Sequence, residues 1–220
     1  MSEDAAYSDK GDVYFAHVRR EIELLLPDKI SRVMEIGCGA GDTLNYLKQT
    51  GRCDWVCGVE LESGAAAQAR EKLDMFIEGN IEHQNLPMAP ESLDVILCLD
   101  VLEHLVDPWN VIHKLDKLLK PGGSIIASIP NVRHFHVSLP LLFRGKWQYV
   151  DAGLLDKTHL RFFVHDSAVE LMECSGLRVD MVRTKGLEKG SKAWLVNMAT
   201  LSLFRPLFEY QYLIRAIKVK

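Results

Sequence analysis

A chain of 220 residues, 48% hydrophobic and 25% charged, has the composition of a soluble globular protein, and residues 1–220 are expected to form one domain around a large core. A formal net charge of −4 and a pI near 6.1 exclude the basic balance of a nucleic-acid binder. Residues 1–10 are polar and acidic rather than a secretory signal, and the five cysteines are an odd count in which Cys53 and Cys57 lack the second pair a zinc site needs, so free thiols in a reducing cytoplasm are expected.

A helix pattern covers 13–25. The first strand pattern, 32–36, runs into Gly37-Cys38-Gly39-Ala40-Gly41-Asp42, and a helix pattern follows at 43–49. A second apolar run, 55–60, ends on Glu60. Then come a helix at 65–72, a short strand at 76–78, a strand at 93–99 leading to Asp100, a helix at 108–119 and a strand at 123–129. After a long connection a helix is expected at 166–175. Residues 178–183 and 210–218 alternate like strands, with 193–204 between them. Apolar runs alternating with helical periods predict an α/β fold, a Rossmann-like doubly wound sheet of seven mostly parallel strands.

The turn after the first strand carries the chemistry. Glycine lets backbone approach a ligand without a Cβ, and the helix start beyond it presents free N–H groups. Glu60, about 20 residues on, stands where nucleotide folds place an acid for the ribose hydroxyls. A pyrophosphate is poorly served here. The third glycine of the dinucleotide fingerprint would fall at Asp42, and Glu35 lies two residues before Gly37. Two carboxylates repel a pyrophosphate and attract a cation, which disfavours NAD and favours S-adenosylmethionine, with its sulfonium, ammonium and ribose diol.

These pieces, in this order, resemble the class I S-adenosylmethionine-dependent methyltransferases over residues 14–177. Residues 33–42, Glu60, 78–82, 93–100 and the turn 118–123 each match a segment of that pattern. The resemblance implies a cofactor site of Glu35, Gly37, Cys38, Gly39, Gly41, Glu60, Leu61, Asn80, Ile81 and Asp100, with Asn80 standing where many members carry Asp. It also implies a closing antiparallel pair, so that the last strand runs antiparallel. Asp100-x-x-Glu103-His104 resembles the motif of the ubiquinone-biosynthesis O-methyltransferases, in some of which two carboxylates and a histidine hold a divalent ion. The matching residues are Asp100, Glu103 and His104, and magnesium or zinc would suit them. The reading without a metal takes precedence, since the same motif occurs in members that have none. Residues 157–163 resemble a segment of methyltransferases that accompany glycosyltransferases in polysaccharide assembly.

Ligands of such sheets bind beyond the carboxyl ends of the strands. Three segments fall there: 100–104, 131–134 and the insert to residue 163. Residues 131–163 read as an acceptor-side lid holding Phe143, Trp147 and Tyr149, though aromatic residues in such a segment also serve plain packing. His104 is the foremost residue. It is either the base that takes a hydroxyl proton during methyl transfer or a brace for the turn after the fourth strand. His134, His136 and His159 are the other bases on this side. Trp194, Leu195, Leu201, Leu203, Phe204, Leu207 and Phe208 read as core or as a homodimer face. A membrane-surface contact helped by Lys218 and Lys220 is the lesser alternative, and no apolar run has the length of a membrane span. The expected activity is O-methylation of a small molecule or sugar. The alternative is a non-catalytic module that binds S-adenosylmethionine.

Overall fold

The computed structural model describes residues 18–187 and 189–219. A seven-stranded sheet has the order β3-β2-β1-β4-β5-β7-β6. Its strands are β1 Arg32–Ile36, β2 Trp55–Glu60, β3 Met75–Glu78, β4 Leu93–Leu99, β5 Leu119–Pro130, β6 Arg178–Lys185 and β7 Gln211–Ile217. The pairs among β1 to β5 are parallel. β7 inserts antiparallel between β5 and β6, with Ala127 opposite Ile214 and Val182 on the other side of Ile214. Helices α1 Asp42–Gln49, α2 Ser63–Lys72, α3 Pro108–Asp116 and α5 His165–Glu173 connect or flank the strands, and α4 Phe135–Arg144, α6 Lys192–Ala199 and α7 Arg205–Phe208 lie outside that frame.

The central strands read as continuous apolar runs because both sheet faces are covered. In β4, Ile96 and Cys98 enter one buried cluster with Met34 and Ile36, and Val95, Leu97 and Leu99 enter the other with Val33 and Val56. Each fully buried Leu, Ile or Val contributes about 1.5–3 kcal/mol relative to exposure. Local signals set the helix starts. Asp107 accepts a bond from the Asn110 N–H at 3.0 Å, and Pro108 occupies the first turn of α3, where its missing N–H costs nothing.

Several boundaries differ from expectation. Of the helix pattern at 13–25, residues 13–17 lie outside the described residues, and Arg20–Leu25 is a 3₁₀ helix. The helix expected over 108–119 stops at Asp116, because Leu119 already pairs with Leu93. The expected turn at 118–123 is a break in register between Leu93↔Leu119 and Val95↔Ser124, with Gly122 at φ +81°. The insert holds a full helix, α4.

The largest correction concerns the C-terminal apolar residues. Of the residues expected as core or as a homodimer face, Leu195, Leu201, Leu203 and Phe204 are exposed, at 56, 92, 74 and 45%, which overturns the core half of that expectation. The reason is placement. α6 and α7 occupy the β6–β7 connection, pack on each other and, through α7, on α4, and among the described residues no layer covers their outer side. Among the described residues no helix is long and apolar enough to cross a membrane.

Candidate active site

The strand order reverses between β1 and β4, and the carboxyl ends of these strands bring together most of the residues flagged in the sequence. The loop after β1 folds over the end of β2. The Gly37 and Cys38 N–H groups donate to the Val59 carbonyl at 2.8 and 3.1 Å, and Gly37, Gly39 and Gly41 have φ of +67, +52 and +77°. Side chains rarely adopt such angles, so this path depends on glycine. Glu60 fastens the loop. Its Oε2 accepts from the Gly39 N–H at 2.8 Å, and its Oε1 accepts from the N–H groups of Leu61 and Glu62 at 2.8 and 2.9 Å. Oε1 thus has both lone pairs engaged, and Oε2 retains one for a ribose hydroxyl. Cys38 is buried, and burial foremost pushes its thiol well up from the ordinary value. Its sulfur lies where a Cβ on Gly58 would come within 2.4 Å, so Gly58 is required by packing beneath the loop.

Glu35 lies below this cradle, 4% exposed, and its Oε2 has no hydrogen-bond partner. Burial pushes its carboxyl up to about 8, against the pull of Arg19 and with a smaller push from Glu60. The sequence reading treats Glu35 as a standing negative charge. Burial instead keeps it protonated at neutral pH until a cation arrives. Asn80 Oδ1 accepts from the Glu82 N–H at 2.8 Å, and Ile81 is buried in the main core. Asp100 sits at φ +56°, a conformation sparsely populated by non-glycine residues. Its carboxylate accepts from Arg19 Nη1 at 2.5 Å, from Ser128 Oγ at 2.9 Å and from Gln211 Nε2.

On the other side of β4 the fold joins two segments that lie more than 50 residues apart. The Leu160 and Arg161 N–H groups donate to the Glu103 carbonyl at 2.8 and 2.9 Å, and the Arg161 guanidinium donates to the Val106 carbonyl. His104 Nδ1 meets the Thr158 carbonyl at 3.1 Å, and His159 Nδ1 meets the Leu154 carbonyl at 3.3 Å. A carbonyl only accepts, so both Nδ1 atoms carry the proton and each neutral ring has its basic nitrogen at Nε2. The two rings pack edge to face with centroids 4.7 Å apart. Glu103 beside them is 1% exposed with neither carboxylate oxygen hydrogen-bonded. Burial, then Asp100, raises its acid well above the usual range. Glu103, His104 and His159 offer ligand-type atoms within 4.8 Å of one another. Asp100 belongs to the Arg19 network instead.

The other histidines separate by role. His134 Nδ1 caps α4 by accepting from the His136 N–H at 3.3 Å, and burial pushes it down to about 4, so it is a weak base. His136 is exposed and lines a cavity of about 330 Å³ with Val137, Pro140, Lys146, Leu154 and Tyr210. Trp147 packs edge to face on Phe162 at 5.1 Å and on Tyr149 at 6.5 Å. Phe143 is 76% exposed.

The family model for a methyltransferase domain matches residues 13–182. This chain belongs to that family. Membership identifies S-adenosylmethionine as the cofactor. The cradle fits it, with glycines that leave room at the loop, an acid at Glu60 for hydroxyls and a buried acid at Glu35 whose Oε2 has no hydrogen-bond partner among the described residues. Among its methyltransferase relatives, the ubiquinone biosynthesis O-methyltransferase of Pseudomonas fluorescens (strain Pf0-1) is 33% identical over 107 residues, 46% of this chain and 44% of that protein. The enzyme of the same name from Azoarcus sp. (strain BH72) is 28% identical over 163 residues, 66% of this chain and 67% of that protein. The chain thus matches less than half the length of the first of these relatives and about two thirds of the second. The fold is shared with a SAM-dependent methyltransferase of Archaeoglobus fulgidus, at TM-score 0.67 and 20% identity over 98% of this chain and 97% of that one. It is shared equally with phosphoethanolamine N-methyltransferase 2 of Haemonchus contortus in complex with S-adenosyl-L-methionine. There the TM-score is 0.67 and the identity 13%, over 100% of this chain and 60% of that one.

Sequence reasoning missed the three partners that hold Asp100: Arg19, Ser128 and Gln211. A signal existed for two of them. Ser128 interrupts the apolar run 125–130 and Gln211 opens β7 just before Tyr212, Leu213 and Ile214; both are buried, at 0 and 7% exposure.

Proposed function

We propose that this chain transfers a methyl group from S-adenosylmethionine to a hydroxyl of a small molecule or saccharide in the cytoplasm. The observation that supports O-transfer best is the anchoring of His104. Its Nδ1–H is held by the Thr158 carbonyl, which leaves Nε2 as the basic nitrogen at the end of β4. In this reading Gly37, Cys38, Gly39 and Gly41 form the cofactor cradle. Glu60 with Leu61 positions the ribose, and Asn80 and Ile81 flank the adenine. Glu35 and Asp100 face the cationic end. S-adenosylmethionine, when bound, supplies an electrophilic methyl group on a sulfonium. His104 Nε2 takes the proton of the acceptor hydroxyl as its oxygen attacks. Residues 131–163 cover the acceptor and keep water from it, and the cavity beside His136 and Tyr210 receives its body. The free state of all five cysteines supports a reducing compartment.

A divalent ion is a second reading, favoured by the two unpartnered oxygens of buried Glu103. Glu103, His104 and His159 would hold it, and the ion would supply Lewis-acid polarisation of the acceptor oxygen. Metal analysis of the purified protein before and after chelation tests this. The main test is formation of S-adenosylhomocysteine with a panel of hydroxylated, aminated and saccharide acceptors. Calorimetric binding of S-adenosylmethionine with no product from any acceptor would favour a non-catalytic binding module.

A further inference from the structure

We propose that the face built from α4, α6 and α7 docks this chain on an anionic phospholipid bilayer. α4 packs against α7, and α7 against α6, so the three short helices make one continuous surface. Its outer side is apolar. Leu142 and Phe143 are 74 and 76% exposed on α4, and Leu201 and Leu203 are 92 and 74% exposed between α6 and α7. So much exposed apolar side chain in neighbouring short segments marks an interaction face. The charges name the occupant. Residues 131–150 and 189–208 contain no Asp or Glu, in a chain whose net charge is −4. They carry Arg144, Lys146, Lys189 and Lys192, all exposed, and none of these forms an ion pair among the described residues. Arg205 is paired with Glu209 and contributes less. Apolar side chains flanked by lysine and arginine, with no acid among them, match an anionic headgroup layer over an acyl interior. A second copy is a poorer match. A two-fold contact places a patch on itself, and this patch would bring like charges together. α4 has two sides in this arrangement. Leu142 and Phe143 face outward, and His136, Val137 and Pro140 line the cavity behind them. Docking would therefore bring that cavity close to the membrane.

The test is co-sedimentation with sucrose-loaded vesicles at physiological salt, using phosphatidylglycerol–phosphatidylcholine mixtures and pure phosphatidylcholine. The wild type is expected to pellet with the anionic vesicles, weakly with the neutral ones, and less as salt rises. The triple variant Arg144→Gln, Lys189→Gln, Lys192→Gln should lower partitioning about 10²-fold, from the usual contribution of a basic side chain near an anionic surface. The pair Leu201→Glu, Leu203→Glu should abolish it, with circular dichroism and S-adenosylmethionine binding unchanged because both side chains are exposed. The proposal is overturned if the wild type stays in the supernatant. Equal pelleting with both vesicle types overturns it too. So does sedimentation velocity showing a dimer that Leu201→Glu, Leu203→Glu dissociates, which would assign the face to a second copy.

Discussion

Glu35→Gln separates the charge of a buried acid from its shape. The wild-type carboxyl is raised by burial to about 8, against an ordinary value near 4.5. Between those two pH values the unfolded chain has released the proton and the folded chain has kept it. The folded state thus binds more protons, and stability must fall as pH rises from 4.5 to 8, then level off. At about 1.36 kcal/mol per pH unit, the fall reaches about 3 kcal/mol at pH 7 and about 5 kcal/mol above pH 8. Glutamine has nearly the same shape and no titration. Burying its amide adds an offset, and that offset does not vary with pH. The readout is therefore a slope: the stability of the variant minus that of wild type should climb between pH 5 and 8 and flatten above. Urea unfolding followed by circular dichroism at half-unit pH steps measures it, and taking the difference cancels all other titrations. S-adenosylmethionine affinity adds a second readout. A cation that requires ionised Glu35 should bind wild type about tenfold more tightly per pH unit below 8 and show no such dependence in Glu35→Gln. Parallel stability curves for the two proteins from pH 5 to 8 would refute the account of Glu35 as a neutral acid waiting for a cation.

Glu60→Gln should weaken S-adenosylmethionine by about 1.5–3 kcal/mol in calorimetry, as for a lost charge-assisted bond, and unchanged affinity would remove Glu60 from the ribose site. Gly39→Val places a β-branched residue at φ +52° and should abolish cofactor binding, whereas a variant that folds and binds normally would put the cradle elsewhere. Gly58→Ala forces its new methyl to within 2.4 Å of Cys38 Sγ and should cost about 1–3 kcal/mol of stability by overpacking, read from the thermal midpoint with and without cofactor. His104→Ala should lower kcat about 10²–10⁴-fold and leave cofactor affinity nearly unchanged, with no effect of chelator on the wild type. Activity lost to chelator and restored by a divalent ion would favour the metal reading, and near-wild-type turnover in the variant would leave His104 only a brace.

The alternation of apolar runs and helical periods was enough to give the sheet, because a parallel strand buried on both faces must be apolar throughout and its crossover must be amphipathic. The glycine loop and Glu60 were legible for a similar reason. Positive φ and close backbone approach restrict the residue types allowed, and the strand ends fix their spacing. What the sequence left open depends on distance through space. His104 admits the roles of base, brace and ligand in the sequence, and the groups that bear on the choice, Thr158 and His159, lie more than 50 residues away and meet it only in the fold. Glu35 read as a charge, and only its burial shows that it holds a proton at neutral pH. The apolar residues near the C-terminus read as core or as a homodimer face, because hydrophobicity records a side chain's preference for burial and not what is there to bury it. The sheet's helix layers already cover its faces, and α6 and α7 lie beyond them. Local sequence determines which element forms and which backbone angles it allows, whereas burial and long-range contact determine what its side chains can do.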